Sequence, residues 1–168
     1  MVLEILKIPD PRLKIVSEEV KPEENNEDLQ KFIDDLVETM YNSPGGIGIS
    51  APQVGLHKRI IVVDARPNKK TTINHGLIVM INPVIVFSEE DIIIREGCMS
   101  IPDYTGNIER KNKIVVKGFD RDFKEITIET EGMEAVVFQH EIDHLNGILF
   151  IDRIKNPHTD LFRRKKYL

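Results

Sequence analysis

The segment 132–146 constrains the fold most. It has helical period, with Met133, Val136, Val137, His140 and His144 on one face and Phe138, Ile142 and Leu145 on another. A helix that is apolar on two sides is buried on two sides, so the rest of the chain must cover both. Gly147 stands where a helix-terminating glycine belongs.

The cover is expected from strands. Arg59–Ala65, Val79–Phe87, Asp91–Cys98, Lys113–Phe119 and Glu125–Thr130 are short segments rich in Val and Ile. Ser88-Glu89-Glu90 is predicted to turn the second into the third, and Asp120-Arg121-Asp122 the fourth into the fifth as an antiparallel hairpin. Ahead of them, residues 27–41 place Leu29, Phe32, Ile33, Leu36 and Met40 on one helical face, with Asn25 or Asn26 as N-cap. Pro9-Asp10-Pro11 reads as a rigid turn. Leu161–Tyr167 is predicted to be a short surface helix. Strands grouped in this way, rather than alternating with helices, give an α+β class. The expected architecture is largely antiparallel β-sheets around a buried central helix, with an N-terminal helix and a short C-terminal one.

The 168 residues suit one compact domain, taken as a single catalytic unit over 1–168. The net charge is 23 − 28 = −5, which gives no general attraction to nucleic acid or to an anionic membrane. The exception is the basic run Arg163, Arg164, Lys165, Lys166, a candidate ribosome contact. A lone cysteine, Cys98, cannot form an intramolecular disulfide and fits a reducing compartment. No signal-peptide pattern opens the chain and no apolar run approaches a membrane span, so the expected location is the cytoplasm.

His140-Glu141-Ile142-Asp143-His144 is an HExxH motif. Residues four apart stay within roughly 40° around a helix and lie about 6 Å apart along it, so two imidazoles can share one metal. Glu141, one step round, can then reach a water at the site. A catalytic site of this kind needs three protein ligands and an open position. The usual completions are missing: Phe150 occupies the place of a third histidine in HExxHxxGxxH, and no glutamate follows Glu141. The third ligand therefore lies upstream, among Cys98, His57 and His75. Cys98 is the strongest, since it ends a β-segment beside Gly97. His57 and His75 sit in polar stretches and read as solvent-facing. Asp143 lies about 60° from His140 and about 100° from His144, and is read as a supporting group rather than a ligand.

Three separated motifs stand in order: Gly46-Ile47-Gly48-Ile49-Ser50-Ala51-Pro52-Gln53-Val54-Gly55, Glu96-Gly97-Cys98-Met99-Ser100-Ile101-Pro102, and Gln139 through Phe150. Together they resemble the peptide deformylase family, as do Ile8–Leu13 and Asn82-Pro83. The resemblance covers about residues 3–152. It implies that Cys98, His140 and His144 hold one divalent metal ion, Fe²⁺ in the cell, with Zn²⁺, Ni²⁺ or Co²⁺ able to substitute. It also implies Glu141 as general base and acid, with Gln53 and the backbone N–H of Met99 facing the substrate oxygen. It suggests a Glu96–Arg110 pair. The implied substrates are N-formylmethionyl nascent peptides, and the products are formate and a free N-terminal methionine.

Such a substrate needs an apolar slot for the methionine. Met133, Val136 and Val137 are candidates for one wall, and Ile47 and Ile94 for the other. Gly46, Gly48 and Gly97 let an extended peptide lie close to the backbone. The chain departs from the family pattern in places: Ile49-Ser50 stands for Leu-Ala, Met99 for leucine, and Thr105 where many members carry arginine. Two readings compete: a different metal amidase or peptidase using the same site, and a non-catalytic, metal-binding module associated with the ribosome.

Overall fold

The computed structural model describes residues 1–164. Helix α1 spans Glu27–Tyr41 and buries Ile33, Leu36 and Met40, the centre of the predicted apolar face. Asn26 caps it, its side chain accepting from the Leu29 N–H at 3.0 Å. The strands follow as β1 (Gly48–Ser50), β2 (Ile60–Val63), β3 (Ile78–Cys98), β4 (Ile101–Phe119) and β5 (Glu125–Glu131). Then come α2 (Gly132–Leu145), α3 (Pro157–Asp160) and β6 (Leu161–Arg163). The named strands pair antiparallel, in the order β1-β2-β3-β4-β5, with β6 on β4.

Helix α2 packs on β1, β2, β4 and β5, and every residue from Met133 to Leu145 is buried. One core forms around it from Ile61, Val63, Met80, Val116, Val136 and Phe138, among others. A second joins α1 to β1 and β2. A third, containing Cys98, Ile101 and Phe150, closes the far side. Helix α2 ends where Gly147 takes a φ of +71°; a Cβ there would lie 2.4 Å from the Lys14 carbonyl oxygen, so only glycine fits.

The structure corrects the sequence reading at three places. The predicted turn at Ser88-Glu89-Glu90 does not exist: β3 runs through it, paired with Lys111–Ile114 of β4. The acidic cluster is matched across the ladder instead, Asp91 by Lys111 at 2.5 Å and Glu90 by Asn112 at 3.0 Å. Strand β4 begins at Ile101, twelve residues before the predicted Lys113. The intervening PDYTGNIERKN is polar and weak in strand propensity, and it is β3 that holds it extended. Finally, Leu161–Arg163 forms a strand rather than the start of a surface helix, because the β4 edge at Tyr104–Gly106 offers it a partner. The remainder of that predicted helix, 165–167, lies outside the described residues.

Candidate metal centre and active site

Strand β3 delivers Cys98 at its last residue. Met99 and Ser100 form the two-residue turn into β4, with Cys98 opposite Ile101. Helix α2 delivers His140 and His144, whose ring centroids are 5.0 Å apart. The cysteine sulfur lies 3.3 Å from His144 Nε2, and the three ligand-type atoms of Cys98, His140 and His144 all lie within 4.8 Å of one another. One thiol and two imidazoles this close form a soft N/S donor set suited to a single four-coordinate ion. His57 and His75 are elsewhere: His57 Nε2 meets the Arg12 carbonyl at 2.9 Å, and His75 Nδ1 meets Glu134 at 2.5 Å.

Behind the histidines, each buried charge has an opposite neighbour. Glu96 accepts from His140 Nδ1 at 2.7 Å, which leaves Nε2 as the ring nitrogen available to a metal. Arg110 donates two bonds to Glu96, at 2.6 and 2.9 Å, and one to Asp143 at 2.7 Å. Arg153 closes the chain with two bonds to Asp143, at 2.5 and 2.7 Å. Burial alone would raise the Glu96 pKa, but Arg110 and His140 outweigh it and hold it at about 2. Burial also pulls His144 well below its usual range, which keeps it in the neutral form that ligates metals. For His140 burial acts the same way, but Cys98 and Glu96 overcome it and lift the pKa; a metal bound there would displace that proton.

On the other side lies a cleft of about 890 Å³. Gly46, Ile47, Gly48 and Gln53 line it, as do Gly97, Cys98 and Met99. Met133, Val136 and Val137 form its apolar wall on α2, next to His140 and Glu141. Ile94 does not line it; two residues up β3 from Glu96, it packs with Ile92 against the α2 core instead. Gly48 brings β1 against α2: a Cβ there would sit 2.6 Å from both Glu141 Oε2 and Val137 Cγ1.

Gln53 is fixed at both ends of its amide. Its oxygen accepts from the Ser50 N–H and hydroxyl, each at 3.0 Å, and its Nε2 reaches Ser100 Oγ at 3.1 Å and Cys98 Sγ at 3.6 Å. Glu141 contrasts with it. Its Oε1 is buried without a hydrogen-bond partner, and burial pushes its pKa up to about 7. An orphaned carboxylate oxygen beside three convergent ligand atoms is what a site made for a cation and a water looks like.

The sequence reading missed Ser50 and Ser100 as the clamps on Gln53. It also missed Arg153, and the chain start Val2–Lys7, which forms part of the cleft rim and is tied down by the Leu6 N–H on the Gln53 carbonyl at 2.7 Å. Ser50 carried a local signal, the Ser-x-x-Gln capping pattern of residues 50–53; Ser100, Arg153 and the chain start are revealed by contacts between separate segments.

Comparisons with known proteins bear on the family and the fold. The sequence pattern of the polypeptide deformylase family matches residues 2–160. The peptide deformylase of Thermodesulfovibrio yellowstonii is 52% identical over 98% of this chain and 96% of its own. That of Halothermothrix orenii is 49% identical over 91% of this chain and 94% of its own. Among solved structures, the peptide deformylase of Legionella pneumophila superposes with a TM-score of 0.83 at 39% identity, covering 92% of this chain and 87% of that one. The class I type b enzyme of Acinetobacter baumannii, solved with Met-Ala-Ser bound, gives 0.84 at 37% identity, covering 92% and 99%. On its sequence, its fold and the extent of both matches, the chain belongs to the polypeptide deformylase family.

Proposed function

We propose that Cys98, His140 and His144 hold one divalent ion at which Glu141 drives hydrolysis of the formyl group from the N-terminal methionine of newly made polypeptides, releasing formate. Family membership carries the reaction. The observation that carries the residue roles is the unpartnered, buried Glu141 carboxylate beside the three ligand atoms.

An ion held by Cys98, His140 and His144 would supply Lewis acidity, lowering the pKa of water at the site and favouring attack on the formyl group. Glu141, poised near neutrality, takes a proton from the attacking water and returns it to the departing amine, which must leave protonated. Gln53 Nε2, held toward Cys98 by Ser50 and Ser100, donates to the oxyanion, and the backbone N–H of Met99 is the second donor. The methionine side chain occupies the slot formed by Met133, Val136 and Val137, with Ile47 opposite. Gly46, Gly48 and Gly97 keep the cleft floor at backbone level, where an extended peptide can lie. The Met-Ala-Ser held by the Acinetobacter baumannii enzyme is the type of chain such a cleft would release.

Fe²⁺ is the proposed ion in the cell; Zn²⁺, Ni²⁺ and Co²⁺ fit the same thiolate-imidazole set, and availability decides among them. The test is formate release from formyl-Met-Ala-Ser by protein reloaded with each ion without oxygen, beside acetyl-Met-Ala-Ser and an internal peptide. Cleavage of the formyl substrate alone is expected; cleavage of the others, or no formate with any ion, would overturn the assignment. Exposed Arg163, with Lys165 and Lys166, is proposed to face ribosomal phosphate. Salt-sensitive co-sedimentation with ribosomes, weakened by R163E, is its readout. No helix among the described residues is long and apolar enough to cross a membrane.

A further inference from the structure

The guanidinium of Arg164 lines the cleft, and among the described residues it has no hydrogen-bond or ion-pair partner; its Nε is buried without one. Only its backbone is engaged, the N–H donating to the Asp103 carbonyl at 2.8 Å. A positive group with a shielded donor and no acceptor is costly unless something else supplies the acceptor.

Strand register places it there. Thr105 is paired with Phe162, and the two-residue period of a strand puts Phe162 and Arg164 on one side. Phe162 is held under the Arg95 guanidinium, 3.7 Å from its ring centroid, and Arg95 and Thr105 also line the cleft. Arg164 lies directly over Gly97: a Cβ on Gly97 would be 2.5 Å from its Nη2 and 3.4 Å from Thr105 Cγ2. Gly97 adjoins Cys98, so this guanidinium borders the path of any chain leaving the metal centre. The small Thr105 leaves it room; a long side chain at 105 would take the same space.

We propose that Arg164 is a specificity-determining residue that binds the main chain of the polypeptide beyond its methionine. Its planar donors are taken by peptide carbonyl oxygens as the substrate crosses Gly97. The inference rests on the deformylase reading above and deepens it: the chain's own C-terminal strand completes the cleft, and substrates longer than one residue gain from it.

Amidated substrates test this, because they carry no terminal carboxylate that could substitute for a carbonyl. For the wild type, R164A and R164K, kcat/KM is measured on formyl-Met-Ala-Ser-amide and on formyl-methioninamide. The ratio of the two is expected to fall about tenfold in R164A, through KM rather than kcat, and to recover partly in R164K, as loss of a charge-assisted hydrogen bond implies. An unchanged ratio overturns the proposal. So does a rising one, which would mean that the guanidinium obstructs the groove. Calorimetric binding of Met-Ala-Ser-amide reads the same contact without turnover: about tenfold weaker binding by R164A supports it and equal Kd sinks it. Absence of formate from the wild type would count against the catalytic reading alone.

Discussion

The two sides of helix α2 solve opposite problems with the same residue types. Behind the histidines, Glu96, Arg110, Asp143 and Arg153 form a continuous run of charge-assisted hydrogen bonds. In front of them, Glu141 is as deeply buried and has an oxygen with no partner. A satisfied buried network holds geometry, whereas an unsatisfied buried group marks the place where the protein waits for something from outside. The contrast assigns holding to one face and chemistry to the other, and mutations on the two faces should fail in different ways.

The largest effect on the chemical face is expected from E141Q: a loss of about 10²–10⁴ in formate release, the usual worth of a positioned acid-base group, with metal content and melting temperature retained. Unchanged turnover in metal-analysed protein would remove Glu141 from its role. On the holding face, R110M is expected to cost about 3–5 kcal/mol in denaturant unfolding, because Glu96 and Asp143 are left buried without their shared cation. If R110M instead lost activity at full stability, the division between the faces would fail. Q53A sits between the two, being fixed at both ends yet facing the cleft. It should lower kcat by about 10²–10³ with little change in KM, as removal of one oxyanion donor does. A change confined to KM would move Gln53 to substrate binding.

The smallest effect is expected at Asp64, which does not line the cleft and is satisfied by Arg66 at 2.7 Å and by the Tyr41 hydroxyl at 2.5 Å. Its pKa is lowered to about 2, first by Arg66 and against the effect of burial. A carboxylate whose folded pKa lies below its unfolded value, about 3.9, stabilises fully above that value and loses its contribution as pH falls through about 2. Because Arg66 is half-exposed, the contribution is about 1 kcal/mol or less. Stability curves of the wild type and D64N should therefore converge between pH 4 and pH 2. Curves that stay parallel there would show that a satisfied network need not hold anything.

Sequence by itself determined whatever is carried by neighbours a few residues apart. The period of 132–146 declared a doubly buried helix. The spacing of His140 and His144 offered a pair able to share a metal, and the absence of later ligands pointed upstream, with Cys98 the strongest of three candidates. Asn26, Gly147 and the Asp120–Asp122 turn were equally legible, because caps and tight turns are local. What only the tertiary structure decided depends on partners distant along the chain. Strand β3 crosses Ser88–Glu90 because β4 pairs with it there, and β4 starts at Ile101 because β3 holds its polar half extended. Ile94 is taken up by the core packed on α2 and does not line the cleft. Ser100, from a separate motif, clamps the Gln53 amide whose oxygen Ser50 holds locally, and the last described residue, Arg164, is brought onto Gly97 by a three-residue strand that its basic neighbours disguised as a surface tail. Short-range period fixes which face a residue shows; only long-range pairing fixes what that face meets.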